Sequence, residues 1–196
     1  KITGNNQVEV NGQVLSAKSI LIAVGGKSYM PDIDGKELCI NSDEALDLEM
    51  LPKSIVINGG GYIALEFAGI FSSFGSKVTL VYRGKNILRG FDSDISKFIT
   101  EELKNSKIKV ITEQEITSVS KVTNGLSTEL SSGEKIISNK VMFATGRIPN
   151  TKNLGLEKIG IKLGPIGEII VDNNNETNIK NIFAIGDVTN RINLTP

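Results

Sequence analysis

The sequence contains no histidine and no tryptophan, and Cys39 is its only cysteine. Without histidine, these residues cannot form a Ser-His-Asp or Cys-His catalytic site or a zinc site with histidine ligands. A single cysteine excludes an intrachain disulfide, a Cys-x-x-Cys redox pair and a four-cysteine metal site. We therefore expect no metal site within these residues, and we interpret Cys39 as a small buried hydrophobic side chain.

The chain also has no excess of charge and no long apolar run. Its 22 basic residues balance 22 acidic residues, so charge gives no indication of a nucleic-acid partner or an anionic membrane surface. No apolar run approaches the ~20 residues that cross a bilayer, and no signal peptide opens the sequence. Together with the single cysteine, these features predict a cytoplasmic protein that binds neither membrane nor nucleic acid.

The length and the glycine content favour a folded α/β chain. The 196 residues are enough to bury a core, and 20 glycines suggest turns between strands and helices rather than disorder. Lys1 is not an initiator methionine, and the sequence stops at Pro196 without a closing helix. We expect the chain to be one piece of a longer protein.

Strand patterns dominate the first 40 residues. Gln7–Val10 and Gln13–Leu15 alternate around Asn11-Gly12, which is the strongest short-range signal for a hairpin. Ser19–Val24 is a continuous apolar run and predicts a buried strand that ends in Gly25-Gly26.

The middle of the chain alternates strands and helices, which predicts a parallel sheet. The predicted elements are a helix at Ser42–Met50 capped by Ser42 or Asp43, strands at Ile55–Ile57, Lys77–Tyr82, Ile108–Ile111 and Val141–Ala144, helices at Ile63–Phe74 and Asp94–Lys104, and a meander over Glu115–Asn139. A last strand, Ile182–Ile185, precedes Gly186-Asp187. The predicted fold class is α/β, a Rossmann-like doubly wound parallel sheet with a β-meander.

One glycine-rich motif indicates a binding site. Gly59 to Ala64 matches G-x-G-x-x-A directly after a strand and at the start of a helix. In a dinucleotide site, Gly59 permits the tight turn, Gly61 lets the backbone approach a pyrophosphate, and Ala64 lets helix and strand pack closely. The helix N-terminus then presents free N–H groups to the phosphates. The alternative, a glycine-rich turn that binds nothing, is the less favoured interpretation in this context.

Two arginines indicate which dinucleotide binds. An NAD site usually has an acidic residue at the end of the second strand, but here that strand ends Tyr82-Arg83 and Arg89 follows six residues later. The planar guanidinium forms charge-assisted, bidentate hydrogen bonds with a 2′-phosphate. The pair therefore favours NADPH over NADH, while the alternative is two solvated surface arginines.

Four motifs in order resemble the glutathione reductases, a family of FAD-dependent pyridine nucleotide–disulfide oxidoreductases. They are Gly59–Glu66, Tyr82–Asp92, Ala144–Asn150 and Ala184–Thr189, and the resemblance covers essentially the whole chain. It implies three segments: residues 1–40 and 149–196 of an FAD domain, and a Rossmann domain for NADPH over 41–148. The redox cysteine pair and the C-terminal dimerisation domain with its His–Glu pair are absent from these residues.

The resemblance also implies a role for individual residues. The two catalytic candidates are Tyr62, whose ring would cover the flavin until nicotinamide displaces it, and Glu66, whose carboxylate would lie near the nicotinamide. The expected cofactor-binding residues are Gly59, Gly61, Tyr62, Ile63, Glu66, Arg83, Arg89, Gly146 and Arg147 for NADPH and its surroundings, and Gly25, Gly186, Asp187 and Thr195 for FAD. Asn58 and Val24 depart from the family pattern, and we expect the first to affect the glycine turn.

The intact protein is then expected to pass hydride from NADPH to FAD, then to a cysteine pair, and finally to glutathione disulfide. It would be a homodimer through the absent domain, and these 196 residues alone would not reduce a disulfide. Dihydrolipoamide dehydrogenase, mercuric reductase and NADH oxidase share the architecture but are disfavoured by the arginine pair. A non-catalytic module that binds NADPH is the remaining alternative.

Overall fold

The structure is a computed structural model that describes residues 1–4 and 6–191. The chain divides into two compact units, one formed by Lys1–Lys27 with Arg147–Pro196 and the other by Ser28–Gly146. The functional segments at 1–40, 41–148 and 149–196 stay predictions.

The described strands and helices follow one another in the order of the chain. The strands are β1 (Ile2–Gly4), β2 (Gln7–Val10), β3 (Gln13–Ser16), β4 (Ile20–Ile22), β5 (Gly26–Ser28), β6 (Ser54–Asn58), β7 (Lys77–Tyr82), β8 (Lys109–Thr112), β9 (Ile116–Val122), β10 (Gly125–Leu130), β11 (Lys135–Ser138), β12 (Lys140–Phe143), β13 (Arg147–Pro149) and β14 (Ile182–Ala184). The α-helices are α1 (Ser42–Leu46), α2 (Tyr62–Ser73) and α3 (Ser93–Asn105), and 3-10 turns lie at Lys36–Leu38, Glu157–Ile159 and Gly186–Thr189.

A four-stranded parallel sheet forms the centre of the unit Ser28–Gly146. Its order is β12-β6-β7-β8, and all three pairings are parallel. The chain runs outwards from β6 through β7 to β8 and then returns to β12 on the other side of β6. The carboxyl ends of β6 and β12 therefore form a topological switch point, the place where open α/β sheets bind ligands. The predicted α/β fold with a parallel sheet is confirmed.

The two faces of this sheet are covered differently. Ile55 and Ile57 of β6 pack with α2 and α3 in one core, whereas Val56 packs in a second core against the meander β9-β10-β11. Successive side chains of a strand point to opposite faces, which is why β6 is apolar at all three positions. The predicted meander is confirmed, and it covers the face that the helices leave open.

The short helix α1 begins and ends differently from the prediction. It spans Ser42–Leu46, and its N-cap is Asn41 rather than Ser42 or Asp43. The Asn41 side chain accepts a hydrogen bond from the Asp43 N–H at 2.6 Å, and Glu44 accepts one from the Asn41 N–H at 2.8 Å. This capping box satisfies two N–H groups and fixes the start of the helix one residue earlier.

Helix α3 buries only half of the apolar face that the helical spacing of Ile95, Phe98, Ile99 and Leu103 predicts. Leu103 is buried and Ile99 packs against the core, whereas Ile95 and Phe98 are more than half exposed. The polar Ser96 is buried instead. The Ser96 hydroxyl donates to the carbonyl of Ile87 at 2.6 Å, and this buried hydrogen bond turns Ser96 towards the protein. Tertiary contact therefore overrides the hydrophobic pattern here.

The other unit contains the first and last strands. The predicted hairpin is confirmed as β2 and β3, and β4 pairs in parallel with β14. Ile20 and Ile22 of β4 are buried, but Leu21 is 58% exposed. The apolar run at Ser19–Val24 is thus a strand with one buried face, which corrects the prediction of a strand buried on both. Among the described residues, no helix has both the length and the hydropathy needed to cross a membrane.

Candidate functional site

The glycine turn at Gly59–Gly61 joins β6 to α2 at the switch point. Gly59 has φ 151°, and a Cβ there would overlap the carbonyl oxygen of Ala144 and lie 3.1 Å from the Cβ of Ala64. Ala64 is fully buried. Only glycine fits at position 59, because both the backbone angle and the close approach to Ala144 exclude a side chain.

Gly61, unlike the crowded Gly59, has open space around the position of a Cβ. It is the N-cap of α2 with φ −88°, no side chain caps the helix, and no acidic residue lies in the first turn. No described atom comes within 4 Å of the place where its Cβ would be. The start of α2 therefore has no capping side chain and has open space beside Gly61, and an anion is the ligand that such a helix N-terminus accepts.

The next three candidates lie on the first two turns of α2. Tyr62 and Ile63 are half-buried and pack against the core on the helix face of the sheet, and Glu66 is exposed. Asn58, the unusual residue before the glycines, is the last residue of β6, and its carbonyl accepts the N–H of Ala144 at 2.8 Å. The backbone of Asn58 thus keeps its pairing beside β12, and the effect of its side chain on the turn stays a prediction.

A contact that the sequence does not reveal involves Tyr82, the last residue of β7. A Cβ at Gly60 would lie 2.6 Å from the Tyr82 ring, and a Cβ at Gly84 would also lie 2.6 Å from it. The ring therefore packs against both glycines. Gly84, two residues after Tyr82, is the only part of this contact that the sequence indicates, because the fold alone brings Gly60 to the ring.

The loop that carries the two arginines is hydrogen-bonded to the glycine turn. The N–H of Leu88 donates to the carbonyl of Gly60 at 2.6 Å. Ile87 and Leu88 are buried, so the middle of the loop is anchored in the core. The structure therefore brings the loop between Arg83 and Arg89 against the dinucleotide motif.

Both arginine side chains of this loop are exposed. Neither Arg83 nor Arg89 forms an ion pair or hydrogen bond with another of the described residues. Their guanidinium groups are thus available to an anionic ligand. Gly146, two residues beyond Ala144, has φ 129° and open space at its Cβ position, and its carbonyl accepts the N–H of Tyr29 at 2.9 Å.

The unit that holds the chain ends contains a second group of candidates. Gly25 follows β4, and Gly186 and Asp187 follow β14, so the pairing of these strands brings both turns to one sheet edge. Arg147 of β13 lies against Asp187, with Nε 3.5 Å from Oδ2. Val24, the other departure from the family pattern, is partly exposed. Thr195 lies outside the described residues.

The thiol of the single cysteine, Cys39, has a raised pKa. Cys39 is half-buried at the edge of the core beneath the meander, which corrects the prediction of a buried side chain, and its thiol donates to the Gly35 carbonyl at 3.6 Å. Burial, with a smaller contribution from Glu37, raises the pKa of the thiol to about 11. Because the thiolate is the reactive form, we expect Cys39 to react slowly at neutral pH.

Comparisons with known proteins agree with this geometry. The family model described as pyridine nucleotide-disulphide oxidoreductase matches residues 1–196. Among curated proteins, the chain is 48% identical over 197 residues to the chloroplastic/mitochondrial glutathione reductase of Pisum sativum, covering all of this chain and 36% of the relative. It is 44% identical over 196 residues to the glutathione reductase of Burkholderia cepacia, covering all of this chain and 44% of the relative.

A solved structure shows the same fold. The HOCl-induced flavoprotein disulfide reductase RclA from Escherichia coli superposes with a TM-score of 0.92 at 30% identity, covering 97% of this chain and 45% of that one. The chain thus spans less than half the length of each of these three proteins.

Proposed function

The chain belongs to the pyridine nucleotide-disulphide oxidoreductases, and from that premise we propose that it is the NADPH-binding part of a glutathione reductase, with adjoining FAD-binding segments. Identities of 48% and 44% to two glutathione reductases over the whole chain support this choice within the family. The proposal concerns the longer protein, because these residues contain neither a cysteine pair nor a histidine.

The observation that carries the proposal is the hydrogen bond between Leu88 and Gly60. It holds the loop with Arg83 and Arg89 against the turn that would bind the pyrophosphate. A 2′-phosphate on the adenosine ribose needs cations beside that turn, and an NADH site needs a carboxylate there instead. The loop supplies two unpaired guanidinium groups, so the arrangement favours NADPH.

The residues present fit both cofactors. Open space beside Gly61 and the uncapped start of α2 suit a pyrophosphate. The carboxylate of Asp187, at the end of the strand β14, suits the hydroxyl groups of a ribityl chain. FAD and NADPH are the cofactors of this family; when bound, they supply hydride and electron transfer, while the protein orients them.

The remaining roles concern orientation. Gly59 closes the turn so that the N–H groups of α2 point at the pyrophosphate, and Arg83 and Arg89 fix the adenosine end. We assign to Tyr62, the first residue of α2, the ring that shields the flavin until the nicotinamide arrives. Glu66, one turn further on, is assigned the carboxylate near the nicotinamide.

The wider setting follows from the same proposal. Glutathione disulfide is the proposed substrate, because it is the disulfide that the names of the two curated relatives indicate. A homodimer is proposed with it, since the resemblance implies a C-terminal dimerisation domain beyond these residues. A cytoplasmic location is proposed because Cys39 is the only cysteine of the sequence.

The test is a calorimetric titration of the purified protein and of an Arg83→Ala/Arg89→Ala variant with NADPH and with NADH. Hydrogen bonds to charged groups contribute about 1.5–3 kcal/mol each, so the variant should lose roughly 100-fold or more in NADPH affinity. Its affinity for NADH should change less than about threefold, because NADH has no 2′-phosphate.

A Lys121→Ala/Lys135→Ala variant is the matched control, since it removes two exposed positive charges from the meander strands β9 and β11. It should retain NADPH affinity within about threefold, because the meander covers the sheet face opposite α2 and exposed charges at a distance are screened. Equal losses of NADPH and NADH affinity in the arginine variant would contradict the assignment, and so would an equal loss in the lysine control.

A further inference from the structure

Asp187 belongs to a small polar cluster within the unit that holds both chain ends. The cluster consists of the turn Gly25-Gly26 after β4, the turn Gly186-Asp187 after β14, and Arg147 at the start of β13. The parallel pairing of β4 with β14 places the two turns side by side. A carboxylate and a guanidinium group therefore meet beyond the carboxyl ends of two paired strands.

Arg147 connects the two turns. Its Nη2 donates to the carbonyl of Gly26 at 2.6 Å, and its Nε lies 3.5 Å from Oδ2 of Asp187. The first contact is a hydrogen bond and the second is an ion pair. Gly26 also lies close to Asp187, since a Cβ there would be 3.4 Å from the Cβ of Asp187 and 3.2 Å from the carbonyl oxygen of Ile148.

The ion pair between Arg147 and Asp187 is less exposed to solvent than the other ion pairs of the described residues. The side chains of Arg147 and Asp187 are 29% and 23% exposed, whereas both partners are at least 41% exposed in every other ion pair of the described residues. Salt and water screen a partly buried pair less than a surface pair. Arg147 therefore constrains the orientation of the Asp187 carboxylate more than a surface arginine would.

Two polar atoms of the cluster without a hydrogen-bond partner in the described part of the chain indicate what the cluster can bind. Oδ1 of Asp187 and Nη1 of Arg147 have no hydrogen-bond partner among residues 1–4 and 6–191. An ionised carboxylate only accepts hydrogen bonds, and a guanidinium group only donates them. A hydroxyl group both donates and accepts, so a chain of adjacent hydroxyls is the complementary ligand.

We propose that Arg147 is a positioning residue: it holds Oδ2 of Asp187 and the Gly25-Gly26 turn in place, so that Oδ1 accepts a hydrogen bond from a hydroxyl of the ribityl chain of FAD. The inference rests on the proposed function, because that function supplies the polyol ligand. Arg147 acts through Asp187, so its effect on FAD affinity requires the aspartate.

A double-mutant cycle on the FAD-loaded, full-length protein tests the inference. The variants are Arg147→Met, Asp187→Asn and the double substitution, and the measured quantity is the FAD dissociation constant from the fluorescence of released flavin. Residues within one hydrogen-bond network are non-additive. Arg147→Met should therefore raise the dissociation constant about tenfold in the wild-type background and less than about threefold in the Asp187→Asn background.

Two further variants separate positioning from general stability. Arg191→Met removes an arginine in the same unit that donates to the carbonyls of Val171 and Asp172; it should lower the thermal midpoint without changing FAD affinity more than about threefold. Arg147→Lys retains the charge and should recover part of the lost affinity.

Equal effects of Arg147→Met in both Asp187 backgrounds would overturn the inference, as would wild-type FAD affinity in Arg147→Met. Those results leave the proposed function standing if the wild-type protein binds FAD and NADPH. Failure of the wild-type protein to bind FAD at all would instead contradict the proposed function, and the inference with it.

Discussion

The two glycine-rich regions of this chain share a local pattern but present different chemistry. In both, a glycine turn follows a parallel strand at the carboxyl edge of its sheet. At Gly59–Gly61 a helix without a side-chain cap follows, and open space lies beside its N-cap Gly61. At Gly186-Asp187 a short 3-10 turn follows, and its carboxylate is already held by Arg147.

The difference shows how the element after the strand selects the ligand. A helix N-terminus offers donors and a positive dipole end, which stabilise phosphate groups. A carboxylate at a turn offers acceptors only, which suit hydroxyl groups. One region thus suits a pyrophosphate and the other a polyol, although both resemble strand–glycine turns in the sequence.

The largest expected effect is that of Gly59→Ala on the turn that faces the pyrophosphate. Alanine must adopt φ near 151° and overlap the Ala144 carbonyl, so the variant should lose roughly 3 kcal/mol of unfolding free energy. Chemical denaturation measures this loss. The control is Gly69→Ala in the interior of α2, where no described atom lies near the added Cβ; it should gain about 0.5–1 kcal/mol. Similar stabilities of the two variants would refute the steric account.

Gly61→Ala should separate binding from folding at the same turn. Its φ of −88° suits alanine and its Cβ would enter open space, so the cost in unfolding free energy should stay below about 1 kcal/mol. The new methyl group occupies the space proposed for the pyrophosphate, and NADPH affinity should fall about tenfold or more. FAD affinity should be unchanged, because the polyol region lies in the other unit. Undiminished NADPH binding would show that the ligand approaches elsewhere.

The smallest effect concerns Cys39, which belongs to neither region. Its pKa of about 11 lies above the ordinary 9.0, so alkylation of the folded protein at pH 8 should be about 100-fold slower than that of the unfolded chain. The raised pKa also means that the thiol stabilises the fold fully below pH 9, and that this contribution is lost as the pH rises towards 11. Cys39→Ser should leave NADPH and FAD affinities unchanged within about twofold. Rapid labelling at pH 8 would contradict the buried, protonated thiol.

Much of the fold follows from the sequence because its signals are local. Strands β6 and β7 are β-branched and apolar, and the glycine motif lies between β6 and a helix of the correct period. The exceptions arise where a tertiary hydrogen bond decides the outcome. The Ser96 hydroxyl is buried through its hydrogen bond to the carbonyl of Ile87, and the hydrophobic spacing of the sequence does not indicate this contact.

The sequence likewise identifies some residues of the candidate site but not the contacts between them. Spacing alone identifies Gly59, Gly61 and the two arginines as candidates, since each belongs to a short motif. The contacts that assemble them join residues far apart in the sequence: Leu88 with Gly60, the Tyr82 ring with two glycines, and Arg147 with Asp187. Such contacts depend on the order of strands in the sheet, which cannot be read from a single sequence.

The most direct test of the central claim is a side-by-side calorimetric titration of the purified wild-type protein with NADPH and NADH. Two unpaired arginines held beside the glycine turn predict that NADPH binds about 100-fold or more tightly than NADH. Equal affinities, or a preference for NADH, would contradict the assignment of Arg83 and Arg89 to a 2′-phosphate.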